Sequence, residues 1–341
     1  MAAQCAALVR MLREEGVEAR QISTSPSLGP LSAAERVPGL RTLLRTAAFW
    51  KSLVLAVPRA EVVHVLGASY LYFFLCTAVA VVAGRLWGKR VVLNYRGGAA
   101  RDFFQRWPRF VRGVCQMADC VIVPTKFLVE VFHEIGVPAS VVPNIVDLSL
   151  FEFRKRERIK PDLLVTRNLE PIYNVETALL AFSEVQARYP DATLTCAGSG
   201  SQEAELRLKA TSLGLRNVTF AGAVAHARMG SLYSGADIFL NPSSVDNSPN
   251  SILEAFASGL PVVTTDVGGV GHLVRHEQNG LLVPPKDPQA MASAVIRLLR
   301  DPELVARLVE EGRRAVESFT WPQMRVALYR AYGWRMEPVY A

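Results

Sequence analysis

Short apolar runs rich in β-branched residues alternate with longer amphipathic stretches along nearly the whole chain. Such alternation folds into parallel sheets covered by helices. Runs that read as strands fall at 61–66, 90–94, 118–124 and 140–143. A second set falls at 163–166, 193–197, 218–221, 237–241, 261–265 and 280–283. Between the sets, residues 151–160 are polar and rich in Arg and Lys, and read as a linker. The 341 residues suffice for two domains, each with its own core. The expected class is therefore α/β, with two Rossmann-like parallel-sheet domains over 1–150 and 151–320. A helix near 322–332, within the tail 321–341, is expected to return to the first domain.

The chain opens on a helical pattern, with Leu8, Met11, Leu12 and Glu15 in register and Gly16 as its stop. Residues 18–23 read as a strand. A Rossmann-like domain ordinarily opens on a strand and a Gly-rich turn, so that first strand is expected to be missing from this sequence. From 62 to 84 only His64 is strongly polar, and Arg85, Lys89 and Arg90 follow. Hydropathy alone reads this as a membrane span. Gly67 interrupts it, and a strand, a turn and a buried helix over 69–84 fit the rhythm better. A helix dipping into one leaflet lies between the two readings.

The net charge of +7 favours anionic partners such as nucleotides, phosphorylated lipids or membrane surfaces. Without a zinc-finger spacing, an RNA-binding aromatic signature or a long basic run, nucleic acid is not expected. Cys5, Cys76, Cys115, Cys120 and Cys196 form no CxxC pair and are expected to be inert thiols in a reducing compartment. His64, His133, His226, His272 and His276 make no metal spacing with Cys or acids, so no metal site and no bound cofactor is expected.

The densest chemical signal runs from Asp246 to Val263: DNSPNSILEAFASGLPVV. A polar loop follows a strand ending near Asn241 and enters a helix that Gly259 stops. Free amides at a helix start bind anions such as a pyrophosphate. Ser251 and Glu254 satisfy the capping-box spacing, which reads Ser251 as the N-cap and Glu254 as its reciprocal partner. Four further segments stand out: Arg167 in VTRNL, Arg96 in NYRGG, Gly198 and Gly200 in CAGSG, and the aromatic and basic run RDFFQRWPRFVR over 101–112. A Gly-x-Gly turn alone is weak. The run 101–112 reads as an amphipathic helix with its aromatics toward the core, or as a membrane-surface segment.

Asp246 and Glu254 have seven residues between them, then Gly259-Leu260-Pro261-Val262-Val263 and the Gly268-Gly269 turn. In this the chain resembles the retaining family-4 (group 1) glycosyltransferases of GT-B fold. The resemblance covers roughly residue 62 to the C-terminus and is strongest over 162–283. It implies two Rossmann-like domains facing a cleft, and transfer of a sugar with retention from a nucleotide-diphosphate-sugar donor to an acceptor hydroxyl. It implies Arg167, Asp246 and Arg96 as catalytic residues. Glu254, Asn247, Ser248, Asn250, Ser251, Ile252, Gly198 and Gly200 become donor-binding, with Glu254 on the ribose and Asp246 on the sugar. The acceptor is a sugar, a lipid-linked group or another hydroxyl, in polysaccharide or glycolipid synthesis. A cytoplasmic protein, peripheral at the inner membrane face, is expected. The chain departs from the family at three positions. Asp246 stands where most members have Glu, Tyr173 falls near the usual Lys, and Arg96 replaces a His. These departures motivate an alternative: a catalytically weak or inactive nucleotide-sugar-binding homologue.

Overall fold

A computed structural model of the chain describes residues 2–26, 38–156 and 158–334. It divides into two units, residues 1–143 with 324–341, and residues 144–323.

In the first unit, helices α1 (Ala2–Glu14) and α2 (Pro38–Ala56) precede strand β1 (Val62–Gly67). A π-helical turn (Phe73–Thr77) leads into α3 (Ala78–Leu86), β2 (Arg90–Tyr95), α4 (Ala100–Arg106) and α5 (Pro108–Gln116). Then come β3 (Cys120–Val123), α6 (Lys126–Glu134) and β4 (Ser140–Val141). The four strands make one parallel sheet in the order β1-β2-β3-β4. Val91, Val92 and Leu93 of β2 are fully buried, as expected of a parallel strand covered on both faces. The apolar run 62–84 thus becomes β1, a turn at Tyr70 and a helix that buries Ala78, Ala80, Val81, Ala83 and Gly84 and exposes Val82. Gly84 packs so close to β2 that a Cβ there would meet Val91 at 2.5 Å. Among the described residues no helix is long and apolar enough to cross a membrane.

Two expectations change, and one unassigned segment is a helix. Residues 18–23 form no strand: among the described residues they enter no ladder, and β1 is the edge of its sheet, paired with β2. Residues 38–56, to which the sequence reading assigns no element, form α2. The run 101–112 splits at Pro108 into α4 and α5, so its aromatics face two ways. Phe103 and Phe104 are buried, whereas Trp107 and Phe110 are exposed.

The second unit runs β5 (Asp162–Val165), α7 (Val175–Arg188), β6 (Thr193–Ala197), α8 (Glu203–Ser212), β7 (Val218–Gly222) and α9 (Met229–Gly235). It continues through β8 (Ile238–Asn241), α10 (Asn250–Ala257), β9 (Val262–Thr265), α11 (Val270–Leu273) and β10 (Leu281–Val283) to α12 (Pro288–Arg300) and α13 (Pro302–Glu317). The next helix, α14 (Trp321–Tyr332), begins in this unit, and its residues from Met324 belong to the first. Six parallel strands lie in the order β10-β9-β8-β5-β6-β7. The segment 151–160 is no free linker: Phe151 and Arg156 are buried in this unit. Arg156 donates to the carbonyls of Ser258 (2.7 Å) and Gly259 (2.6 Å) beyond α10, and of Tyr233 (3.1 Å) and Ala236 (2.8 Å) at the end of α9. One guanidinium thereby satisfies carbonyls that two helix ends leave open. It ties together α9 and α10.

Candidate active site

Successive strands of the six-stranded parallel sheet are added in one direction from β5 to β7 and in the other from β8 to β10, so the strand order reverses between β5 and β8. Loops leaving the carboxyl ends of strands on either side of such a point diverge and leave a crevice, the usual ligand position in open α/β sheets. Arg167 follows β5, Gly198 follows β6, Asp246 follows β8 and Gly268 follows β9. Four parallel strands therefore deliver these residues to one edge.

Arg167 is the hub. Its guanidinium pairs with the Asp246 carboxylate, donates to Ser251 Oγ at 3.3 Å and lies over the Tyr173 ring, 4.2 Å from its centroid. Only 11% of its side chain is exposed, and its Nε is buried without a partner. Tyr173, at the position where the resemblance leads one to expect a Lys, thus supplies a π-face to a cation. Burial raises the pKa of Asp246 despite the pull of Arg167 and of the Asn247 and Ser248 amides bonded to the carboxylate.

Glu254 does not cap its helix. The N-cap of α10 is Pro249, Ser251 lies inside the first turn, and no side chain caps that end. Glu254 Oε2 instead accepts from the Tyr233 hydroxyl at 2.8 Å, and that hydroxyl is 2.7 Å from Thr166 Oγ1. Thr166 donates, Tyr233 relays and Glu254 accepts. Burial raises the Glu254 pKa, while Tyr233, His226 and Arg167 pull it down.

The remaining predicted residues have more structural positions. The Asn144 side chain donates to the Ser248 carbonyl (2.9 Å) and to Asn250 Oδ1, fastening the loop. Ile252 is fully buried and its amide bonds the Pro249 carbonyl at 3.2 Å. Gly198, at φ +154°, and Gly200 let the β6 loop lie on the β5 loop: a Cβ would come 2.0 Å from the Arg167 carbonyl and 2.2 Å from that of Leu169. Gly198→Ala is expected to cost about 1–3 kcal/mol of stability and to displace Arg167. Urea unfolding and nucleotide titration measure the two effects. Gly268, at φ +52°, presses the Asp246 carbonyl in the same way, and the Gly269 amide bonds that carbonyl at 3.0 Å.

Arg96 follows β2 in the first unit, where burial lowers its pKa to about 10; burial, helped by the Arg96 charge, depresses that of His64 to about 4. Sequence reasoning missed Tyr233, Thr166 and the stacking role of Tyr173. Tyr233 lies on a different helix from Glu254, 21 positions earlier, and no local spacing links them. Cys115 and Cys196 are core thiols pushed up to about 12 by burial, so neither is a thiolate at neutral pH. Among the described residues no His, Cys, Asp and Glu group could hold a metal ion.

Comparison with known proteins agrees with this geometry. Residues 1–150 match the model "Glycosyltransferase Family 4", and residues 150–315 match "Glycosyl transferases group 1". The chain is 31% identical over 226 residues to the glycogen synthase of Mycobacterium tuberculosis, covering 65% of this chain and 55% of that protein. It thus spans about half the length of that relative. The fold resembles sucrose-phosphate synthase from Thermosynechococcus elongatus, with a TM-score of 0.68 at 22% identity over 86% of this chain and 77% of that one. It also resembles Anabaena HepE in complex with UDP-glucose, with a TM-score of 0.72 at 18% identity over 96% and 89%. With two parallel-sheet Rossmann-like units of GT-B class and both family matches, the chain belongs to the group 1, family-4-like glycosyltransferases.

Proposed function

We propose that the second unit binds a nucleotide-diphosphate sugar at the carboxyl ends of β5, β6 and β8, and that the chain transfers the sugar to an acceptor hydroxyl with retention. The observation that carries this reading is the convergence of Arg167, Asp246, Ser251 and Glu254 at one sheet edge. Glu254 would hold the ribose hydroxyls and Asp246 the sugar. Arg167 and the amides at the start of α10 would meet the diphosphate. As the anomeric C–O bond breaks, charge builds on the leaving diphosphate, and fixed donors at that point lower the barrier. The acceptor oxygen enters on the face the diphosphate leaves, and its proton passes to a leaving phosphate oxygen. Retention rests on the family resemblance. No cofactor takes part. Soluble or lipid-linked sugars in polysaccharide or glycolipid assembly fit as acceptors, with the protein on the cytoplasmic side of a membrane.

One observation favours a second reading, a weak or inactive donor-binding homologue. The Arg167 charge is already matched by Asp246, and Tyr173 occupies the neighbouring position. A panel of nucleotide sugars separates the two. At about 100 times its Kd, the true donor raises the unfolding midpoint by about 5–10 °C. Turnover of that donor establishes the enzyme; protection without turnover establishes the homologue. Protection by none of them overturns both.

A further inference from the structure

Helix α2 has two apolar faces. Phe49 and Leu53 are buried against the first unit. On the other side Leu43, Ala47, Trp50 and Val54 recur at helical spacing and are all exposed, Leu43 by 67% and Val54 by 53%. Helix α3 packs against both α2 and α5, and each neighbour continues the pattern. Val82 and Leu86 are exposed on α3, and Trp107 and Phe110 at the start of α5. The seams are closed: Trp50 Nε1 donates to the Leu75 carbonyl at 2.8 Å, and Phe74 packs on Trp107 and Phe110 at 5.4 and 5.0 Å between centroids. The three helices carry Arg41, Arg45, Lys51, Arg85, Arg109 and Arg112 and not one Asp or Glu.

We infer that this helical layer docks on an anionic lipid bilayer. Aliphatic and tryptophan side chains at the surface of short helices enter the headgroup boundary, while Arg and Lys stems reach the lipid phosphates. Scattered exposed apolar residues need no explanation, but a contiguous set on three adjacent helices marks an interaction surface. A second copy meeting the same face would oppose cations such as Lys51 and Arg85 with the same cations, so a symmetric dimer fits poorly. The inference concerns the first unit alone and does not rest on donor binding.

Co-sedimentation with vesicles tests it, using phosphatidylcholine alone and an equal mixture with phosphatidylglycerol. The full chain is expected to pellet with the mixture and to be released by high salt. Leu43→Ser/Val54→Ser/Leu86→Ser is expected to weaken binding by about tenfold or more with the unfolding midpoint unchanged, since all three side chains face solvent. Should that variant not fold, Lys51→Glu/Arg85→Glu carries the test and is expected to abolish the preference for phosphatidylglycerol. Equal partition to both vesicle types, or binding that survives both variants, overturns the inference. So does concentration-dependent self-association, lost in the serine variant, without any vesicle binding.

Discussion

Arg167→Ala is expected to lower sugar transfer by about 10²–10³-fold, the usual cost of removing one fixed donor from a site where charge develops. The guanidinium is held from three sides, by Asp246, Ser251 and Tyr173. Its position is therefore set before any ligand arrives. Arg167→Lys keeps the charge but loses the planar fork and the stacking on Tyr173, so it recovers only part of the rate. The same substitution has a structural cost that must be separated from the chemical one. Removing one partner of a buried ion pair leaves Asp246 uncompensated, at about 3–5 kcal/mol. The double variant Arg167→Ala/Asp246→Asn removes that charge and is expected to recover most of the stability, yet to stay well below the activity of Asp246→Asn alone, which keeps the cation. Steady-state kinetics and urea unfolding on these variants decide it. If activity returns to that level with stability, Arg167 is a strut and the proposed diphosphate role fails.

Most of the framework was legible because strands of a covered parallel sheet are short apolar runs, and the ten strands stand at the places where such runs occur in the sequence. The failures have a common cause in partners distant along the chain. Residues 18–23 have strand composition, yet a strand exists only through a ladder, and composition does not show whether a neighbour is there. Ser251 and Glu254 match a local capping rule. The rule loses because Pro249 sets the helix start and Tyr233 on α9 reaches the carboxylate first. Arg154 and Arg156 look like linker charges. They are drawn into the second unit by Asp237 and by open helix carbonyls that only the fold assembles. Gly198, Gly200 and Gly268 were readable as turns, but not as the contact points where one loop lies on another.

Glu254→Gln is expected to move fold stability and donor affinity in opposite directions. Burial raises the native pKa of this carboxyl above its ordinary value, with Tyr233 only partly offsetting the shift. A raised acid means that the native state keeps its proton to higher pH than the unfolded chain does. Stability contributed by that proton is full below the unfolded pKa and is lost as pH rises through the native one. Glutamine never ionises, and its amide oxygen still accepts the Tyr233 hydroxyl. The variant is therefore expected to melt higher than the parent at neutral pH, with the difference vanishing below the ordinary carboxylate range. Donor binding is expected to weaken by about 10–100-fold, because charged hydrogen bonds to the ribose hydroxyls become neutral ones. Melting curves across pH and a donor titration give the two readings independently. A variant that melts lower and binds donor as before would make Glu254 a structural partner of Tyr233, and the ribose would have to be sought elsewhere along the same sheet edge. A variant that melts higher and loses the donor fits a carboxylate kept charged in a buried place at the expense of the fold, which a purely structural residue gives no reason to retain.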